Sequence, residues 1–282
     1  MGGAIKIWNR LENFWRNNVG KIESIFKTRK RNNQKVNIAY ITPEYPFAGL
    51  TIPLCTMLFE NNVQLIEIGV PFSDPLADGP VIQHSSYEAL KKKVNINKIF
   101  SFIKVVKRQA DCAIVLMTYL NPVLSYGIEN FVKSSLDSGV DGVIIPDLPV
   151  DEIEFLKPVF ENAGLDLILL AAPTSPVSRL EIIASNSRGF IYCVSVTGVT
   201  GIRKADYINQ ETISFLKQIK SLSSTPVAVG FGLSEADQLK KLAPFTDGFI
   251  IGSALIKAME NTKDNAEALD KARKFIQQVY SD

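Results

Sequence analysis

The sequence predicts an α/β fold, a (β/α)8 barrel of the TIM type preceded by a basic amphipathic helical extension. Three observations carry that expectation. From residue 36 onward, eight short β-branched runs alternate with longer segments of helical period, the pattern of repeated βα units around a parallel sheet. Each run is continuously apolar, as a strand buried on both faces must be, whereas a strand with one wet face alternates. The 282 residues leave enough chain for one barrel of about 250, and no Pro/Gly/Ser-rich linker divides that stretch. An open doubly wound sheet is the structural alternative; eight strands buried on both faces fit closure better.

The elements follow in order. Residues 1–35 form the extension and residues 36–282 the barrel domain. In the extension Lys6, Arg10, Arg16, Lys21, Lys27, Arg29, Lys30 and Arg31 face only Glu12 and Glu23. Its apolar residues Ile7, Trp8, Leu11, Phe14, Trp15, Ile22, Ile25 and Phe26 recur at helical spacing. Such a stripe either packs across the N-terminal mouth of the barrel or attaches to an acidic surface, membrane or partner. The strands are expected over residues 36–42, 64–70, 113–117, 142–145, 166–170, 190–195, 226–229 and 248–250. Between them, residues 97–108, 127–138, 152–163 and 212–221 place apolar side chains three and four apart, as helices do.

Composition excludes several classes. With 46% hydrophobic and 21% charged residues, the chain buries a sizeable core and is not disordered as a whole. A net charge of +2 carries no signature of a nucleic-acid binder. Cys55, Cys112 and Cys193 stand singly in apolar segments, reading as buried hydrophobes in a reducing compartment rather than a zinc or redox site. No apolar run reaches the roughly 20 residues that span a bilayer, and no secretory signal opens the chain, so a cytoplasmic location without membrane insertion is expected.

In a parallel barrel the working side chains gather at the C-terminal ends of the strands. The second strand carries one carboxylate, Glu67, among apolar neighbours. Burying it ionised costs several kcal/mol unless compensated, so Glu67 is either paired with a basic group in the core or is a general acid or base tuned by its surroundings. The loop after it, residues 71–80, holds three prolines that stiffen it and two aspartates. Asp74 and Asp78 could merely initiate turns; alternatively the stiff loop carries Asp78 back over the pocket to face Glu67.

Glycines follow strands six, seven and eight, at Gly198 and Gly201, Gly230 and Gly232, and Gly252 before Ser253. Barrels commonly bind phosphate there, because glycine lets oxygens approach backbone N–H groups and a short helix from Gly252-Ser253 adds its dipole. Tight βα turns also use glycine, but three such turns together favour a small phosphorylated substrate. His84 is the only histidine, so neither a His-rich metal cluster nor a Ser-His-Asp triad can form, and no metal is expected. On its helix His84 is expected to be partly buried rather than catalytic. Unaided acid–base chemistry remains.

Residues 65–80 read Leu-Ile-Glu-Ile-Gly-Val-Pro-Phe-Ser-Asp-Pro-Leu-Ala-Asp-Gly-Pro and resemble the signature of the tryptophan synthase alpha chain at nearly every position. The resemblance runs from about Asn37 to the C-terminal helix, through residues 117–122, 145–149, 192–201, 230–232 and 252–253. It implies retro-aldol cleavage of indole-3-glycerol phosphate, with Glu67 as the acid–base group and Asp78 stabilising the cation at the indole nitrogen. It also implies phosphate binding by Gly201, Gly232, Gly252 and Ser253, and an indole slot of Tyr40, Met117, Ile144 and Phe231. Tyr192 should sit beside Glu67, and Thr200 should close over the site onto Asp78. The family works with a pyridoxal-phosphate-bearing beta subunit in an α2β2 heterotetramer, which puts Asp74, Pro75 and Asn121 at the interface and leaves this chain without a cofactor of its own. A non-catalytic subunit that only activates a beta partner is the rival reading, disfavoured by the presence of both carboxylates.

Four departures stand out. After strand one the family has a glycine where this chain has Glu44, which puts the loop's backbone path in question and adds a charge near the pocket mouth. Tyr87-Glu88 stands where an arginine is expected nearby, and His84 takes a position usually small or amide. The basic extension before residue 21 is longer than the family needs.

Overall fold

The computed structural model describes residues 20–194, 208, 210–230 and 232–280. Helix α1 (Lys21–Arg31) comes first, followed by β1 (Val36–Ile41), α2 (Thr51–Glu60), β2 (Leu65–Gly69), α3 (Pro80–Lys91), α4 (Ile96–Gln109) and β3 (Ala113–Met117). Then come α5 (Leu120–Tyr126), α6 (Ile128–Ser138), β4 (Gly142–Ile144), a 3-10 turn (Val150–Phe155), α7 (Lys157–Ala163), β5 (Asp166–Ile168), β6 (Leu170–Ala171) and α8 (Val177–Asn186). The last third holds β7 (Ile191–Val194), α9 (Gln210–Leu222), β8 (Val227–Gly230), α10 (Ala236–Leu242), β9 (Gly248–Ile251), α11 (Ser253–Ala258) and α12 (Asn265–Val279).

All strand pairs are parallel, in the order β5-β4-β3-β2-β1-β9-β8-β7-β6. The two ends of that order, β5 and β6, are one stave broken at Leu169, so the sheet closes on itself through eight staves. Leu169 explains the break: its N–H turns to Ser187 Oγ (3.1 Å) while its carbonyl still accepts from Tyr192 (3.0 Å). The expected strand over residues 166–170 is therefore two short pieces, with both backbone groups of Leu169 paired.

Side chains alternate between the two faces of each strand. One set, including Ile41, Ile66, Ile68, Leu116 and Val143, packs outward against the helices; the other fills the barrel with Val36, Ile38, Leu65, Val115, Ile144, Ile168, Ala228 and Ile250. Helix α1 belongs with the inner set. Ile22 and Phe26 are buried among the interior side chains, with the Phe26 and Phe190 rings 5.7 Å apart, so α1 stoppers the N-terminal mouth while Lys27, Lys30 and Arg31 face water. The extension before residue 20 lies outside the described residues.

The helices expected at residues 97–108, 127–138 and 212–221 are α4, α6 and α9. The one expected at 152–163 is split into the 3-10 turn and α7, because Pro158 has no N–H to continue the ladder and stands in the first turn of α7. Cys55, Cys112 and Cys193 are buried and free. No helix among the described residues is long and apolar enough to cross a membrane.

Candidate active site

Glu67 lies on β2, opposite Tyr40 on β1 and Val115 on β3 in the strand registers. It is fully buried in the barrel interior, and neither carboxylate oxygen has a hydrogen-bond partner among the described residues. The basic partner that a structural role would require is absent among the described residues. Burial pushes its pKa up to about 8, with the charge of Asp78 adding to the shift.

Asp78 comes within reach of Glu67's charge by a different route. The loop before it folds back on itself, with Asp78 N–H donating to the Pro75 carbonyl (3.1 Å) and Gln83 Nε2 to the Asp78 carbonyl (2.8 Å). Gly79 then leads into Pro80, the first residue of α3, where a missing N–H costs nothing. The loop is pinned to the end of β3: Ala77 N–H donates to the Tyr119 hydroxyl (3.0 Å), and the Phe72 and Tyr119 rings lie 5.3 Å apart. Tyr119 in turn interacts with the Asp78 carboxyl, which limits how far burial raises that group, to about 6. Tyr119 was not singled out by the sequence reading, although its place at a strand's C-terminal end is the signal that could have found it.

Two further phenols face both carboxylates. Tyr40 and Tyr192 each feel the charges of Glu67 and Asp78, and their proton affinities rise, chiefly through burial. Glycine makes room for both rings. A side-chain carbon on Gly69 would lie 2.1 Å from the Tyr40 hydroxyl, and one on Gly230 2.9 Å from that of Tyr192, so β2 and β8 need glycine where these tyrosines lean across.

Met117 is half-buried at the end of β3, and Ile144 is fully buried at the end of β4. On the opposite rim Gly232 follows β8 in the left-handed region (φ +64°) with open space where its side chain would be. Gly252 precedes Ser253, the first residue of α11. Thr200, Gly201 and Phe231 lie outside the described residues. Asp74 and Asn121 are exposed and Pro75 half-exposed, beside Leu76, which is 92% exposed. A groove of about 500 Å³ lined by Phe72, Pro75, Tyr87 and Lys91 runs outside the barrel against this loop and includes neither carboxylate.

Two of the departures, Glu44 and His84, have a structural account. Glu44 sits at φ +61°, the region a glycine would favour, so the backbone turn survives the substitution. Its carboxylate is turned onto its own loop, accepting from Gly49 N–H and the Thr51 hydroxyl (2.6 Å each), while Lys92 Nζ binds the Glu44 and Pro46 carbonyls (2.9 and 2.8 Å). The added charge is thus consumed locally. His84 is exposed, not partly buried, and sets its ring edge-on to Tyr45.

Comparison with known proteins agrees with this geometry. The family profile described as tryptophan synthase alpha chain matches residues 26–281. The chain is 39% identical over 262 residues to the tryptophan synthase alpha chain of Petrotoga mobilis, covering 93% of this chain and 99% of that one. It is 40% identical over 258 residues to that of Carboxydothermus hydrogenoformans, covering 92% and 96%. Among solved structures, Mycobacterium tuberculosis tryptophan synthase superposes with a TM-score of 0.85 at 33% identity, covering 93% of this chain and 97% of that chain. The alpha subunit from Legionella pneumophila gives 0.81 at 30%, covering 92% and 99%. A match over nearly the whole barrel, on a fold that brings two carboxylates close enough for one to feel the other's charge, means that the chain belongs to the tryptophan synthase alpha chain family.

Proposed function

We propose that Glu67 and Asp78 divide the work of the family's reaction according to the surroundings each has. That reaction, the alpha reaction of tryptophan synthase, is retro-aldol cleavage of indole-3-glycerol phosphate to indole and D-glyceraldehyde 3-phosphate, and the chain is a carbon–carbon lyase. Cleavage needs a proton at indole C3 and stabilisation of the positive charge that then develops at the ring nitrogen. Glu67, pushed up to about 8, holds its proton at neutral pH and serves first as the acid toward C3. As a carboxylate it then takes the proton of the glycerol hydroxyl; that electron pair forms the aldehyde, and the C–C pair returns to the ring. Asp78, near 6, is mostly ionised at the same pH and pairs with the nitrogen cation. The observation that carries the reading is Glu67 itself, wholly buried and without a partner for either oxygen among the described residues.

The remaining assignments follow the family resemblance. Gly201, Gly232, Gly252 and Ser253 hold the phosphate, with backbone N–H groups freed by the glycines. Tyr40, Met117, Ile144 and Phe231 flank the indole, Tyr192 sits by Glu67, and Thr200 closes onto Asp78. The chain needs no cofactor of its own. It works in the cytoplasm with a pyridoxal-phosphate-bearing beta subunit in an α2β2 heterotetramer, the surface of Asp74, Pro75 and Asn121 meeting that partner. Exposed Leu76 beside them supports this, since an isolated apolar side chain at the tip of a stiff loop suits a covering subunit.

Asp78→Asn removes the charge without volume. Indole formation by the purified variant should fall by roughly two to three orders of magnitude, with its circular dichroism unchanged. Turnover near wild type would remove Asp78 from the reaction.

A further inference from the structure

Three buried hydroxyls run in line from helix α3 to the Glu67 end of the cavity. Tyr40 is the innermost, and as a wall of the indole slot only its ring is used. Tyr40 and Glu67 are register partners on adjacent strands, so both leave the sheet on the inner face. The phenol does not stay at that level. Its oxygen lies 2.1 Å from the place a side-chain carbon of Gly69 would take, and Gly69 is the next inward position above Glu67 on β2. The hydroxyl therefore occupies the layer between Glu67 and the C-terminal end of the barrel. Gly252, just past β9 on the other flank of β1, would bring a side-chain carbon within 3.3 Å of Tyr40 Cβ, so the ring is slotted between two glycines.

Behind the phenol stand Thr42 and Ser85, both buried. The Thr42 hydroxyl interacts with that of Tyr40. Thr42 Oγ1 lies 2.7 Å from Ser85 Oγ, which reaches the Ile82 carbonyl at 2.9 Å. A chain of hydroxyls has two polarities. With Ser85 donating to the Ile82 carbonyl, Thr42 gives its proton to Ser85 and each proton points away from the cavity; turning the Ser85 hydroxyl onto Thr42 reverses the chain and points the Tyr40 O–H into it.

We propose that the Tyr40 hydroxyl contacts the substrate, donating a hydrogen bond to the glycerol oxygen that becomes the aldehyde, with Thr42 and Ser85 as positioning residues whose hydroxyls turn, Ser85 from Ile82 onto Thr42, to give the inward polarity. The proton of that oxygen still goes to Glu67, and Tyr40 keeps its own, which burial and the two nearby carboxylates hold firmly. The inference rests on the lyase reading and adds a third polar group to its site.

The test uses the full-length chain and purified Tyr40→Phe, Thr42→Val and the double variant, with kcat and KM for indole-3-glycerol phosphate measured alongside thermal unfolding. Tyr40→Phe keeps the ring in its slot; kcat should fall about tenfold or more, with KM and Tm little changed, because a contact that strengthens as the aldehyde oxygen forms acts on kcat. Thr42→Val should fall less, and the double variant no further than Tyr40→Phe, since members of one chain are not additive. A Tyr40→Phe enzyme within twofold of wild-type kcat overturns the proposal, as do additive losses in the double variant. A folded wild type that does not cleave the substrate overturns the lyase reading and this inference with it.

Discussion

Glu67 and Asp78 bear the same functional group, yet their surroundings part them. Glu67 lies inside the barrel with no donor for either oxygen among the described residues, whereas Asp78 lies on a loop with the Tyr119 hydroxyl beside it and partial access to water. Their pKa values, about 8 and about 6, predict a bell-shaped pH dependence of kcat/KM, rising as Asp78 ionises and falling as Glu67 loses the proton destined for C3. Steady-state rates across pH check this; a profile flat from pH 6 to 8 contradicts the division of roles. Stability carries a separate signature. The folded chain holds the Glu67 proton more tightly than the unfolded chain, whose glutamate sits near its ordinary 4.5, so stability falls as pH climbs between those two values. Glu67→Gln should therefore be inactive but melt higher than wild type at about pH 9, the gap closing toward pH 4. Melting curves of both proteins at the two pH values decide it, and a variant less stable at high pH refutes it.

At the scale of elements, the loop between β1 and α2 shows how a substitution at a glycine position is accommodated. Glu44 accepts the strain of φ +61° and returns two charge-assisted hydrogen bonds to Gly49 and Thr51. Glu44→Ala keeps the strain and loses the bonds, a cost of about 2–3 kcal/mol. Glu44→Gly loses the bonds but sheds the strain, so it should be milder by about 1 kcal/mol. Urea unfolding of both variants tests the order, and Ala equal to or milder than Gly contradicts it. Elsewhere the element scale is where sequence reading was most and least secure. The apolar periods of α4, α6 and α9 are local properties of the chain and were legible. Pro158 was legible too, yet the apolar spacing across residues 152–163 outweighed it. The gap at Leu169 was not, because it depends on Ser187, distant in sequence, offering its hydroxyl to the Leu169 N–H.

At the scale of the whole molecule, α1 divides the N-terminal extension into two parts with different physics. Ile22 and Phe26 fill the lower barrel, and each such burial stabilises by about 1.5–3 kcal/mol. The 19 residues ahead of Gly20 lie outside the described part, and the family match begins only at residue 26. Deleting residues 1–19 should leave kcat and Tm near wild type, whereas deleting through Arg31 should lower Tm by several degrees or prevent folding. Activity and melting of the two truncations distinguish these outcomes; a large loss of kcat in the shorter deletion with folding intact would place the extension in the catalytic machinery.

By itself the sequence determined the parallel barrel, the carboxylate isolated in the second strand, the stiff loop bearing Asp78 and the glycine turns across the rim. Each of these is written in residue type and spacing over a few neighbours. Tertiary structure alone decided that Glu67 lacks a partner among the described residues, that Tyr40 and Tyr192 lean into gaps left by Gly69 and Gly230, that Tyr119 braces the Asp78 loop, and that Glu44 turns onto its own loop. Those facts depend on which residues of different strands stand level when the sheet closes. Register across a parallel barrel joins positions tens of residues apart, and no local pattern encodes it.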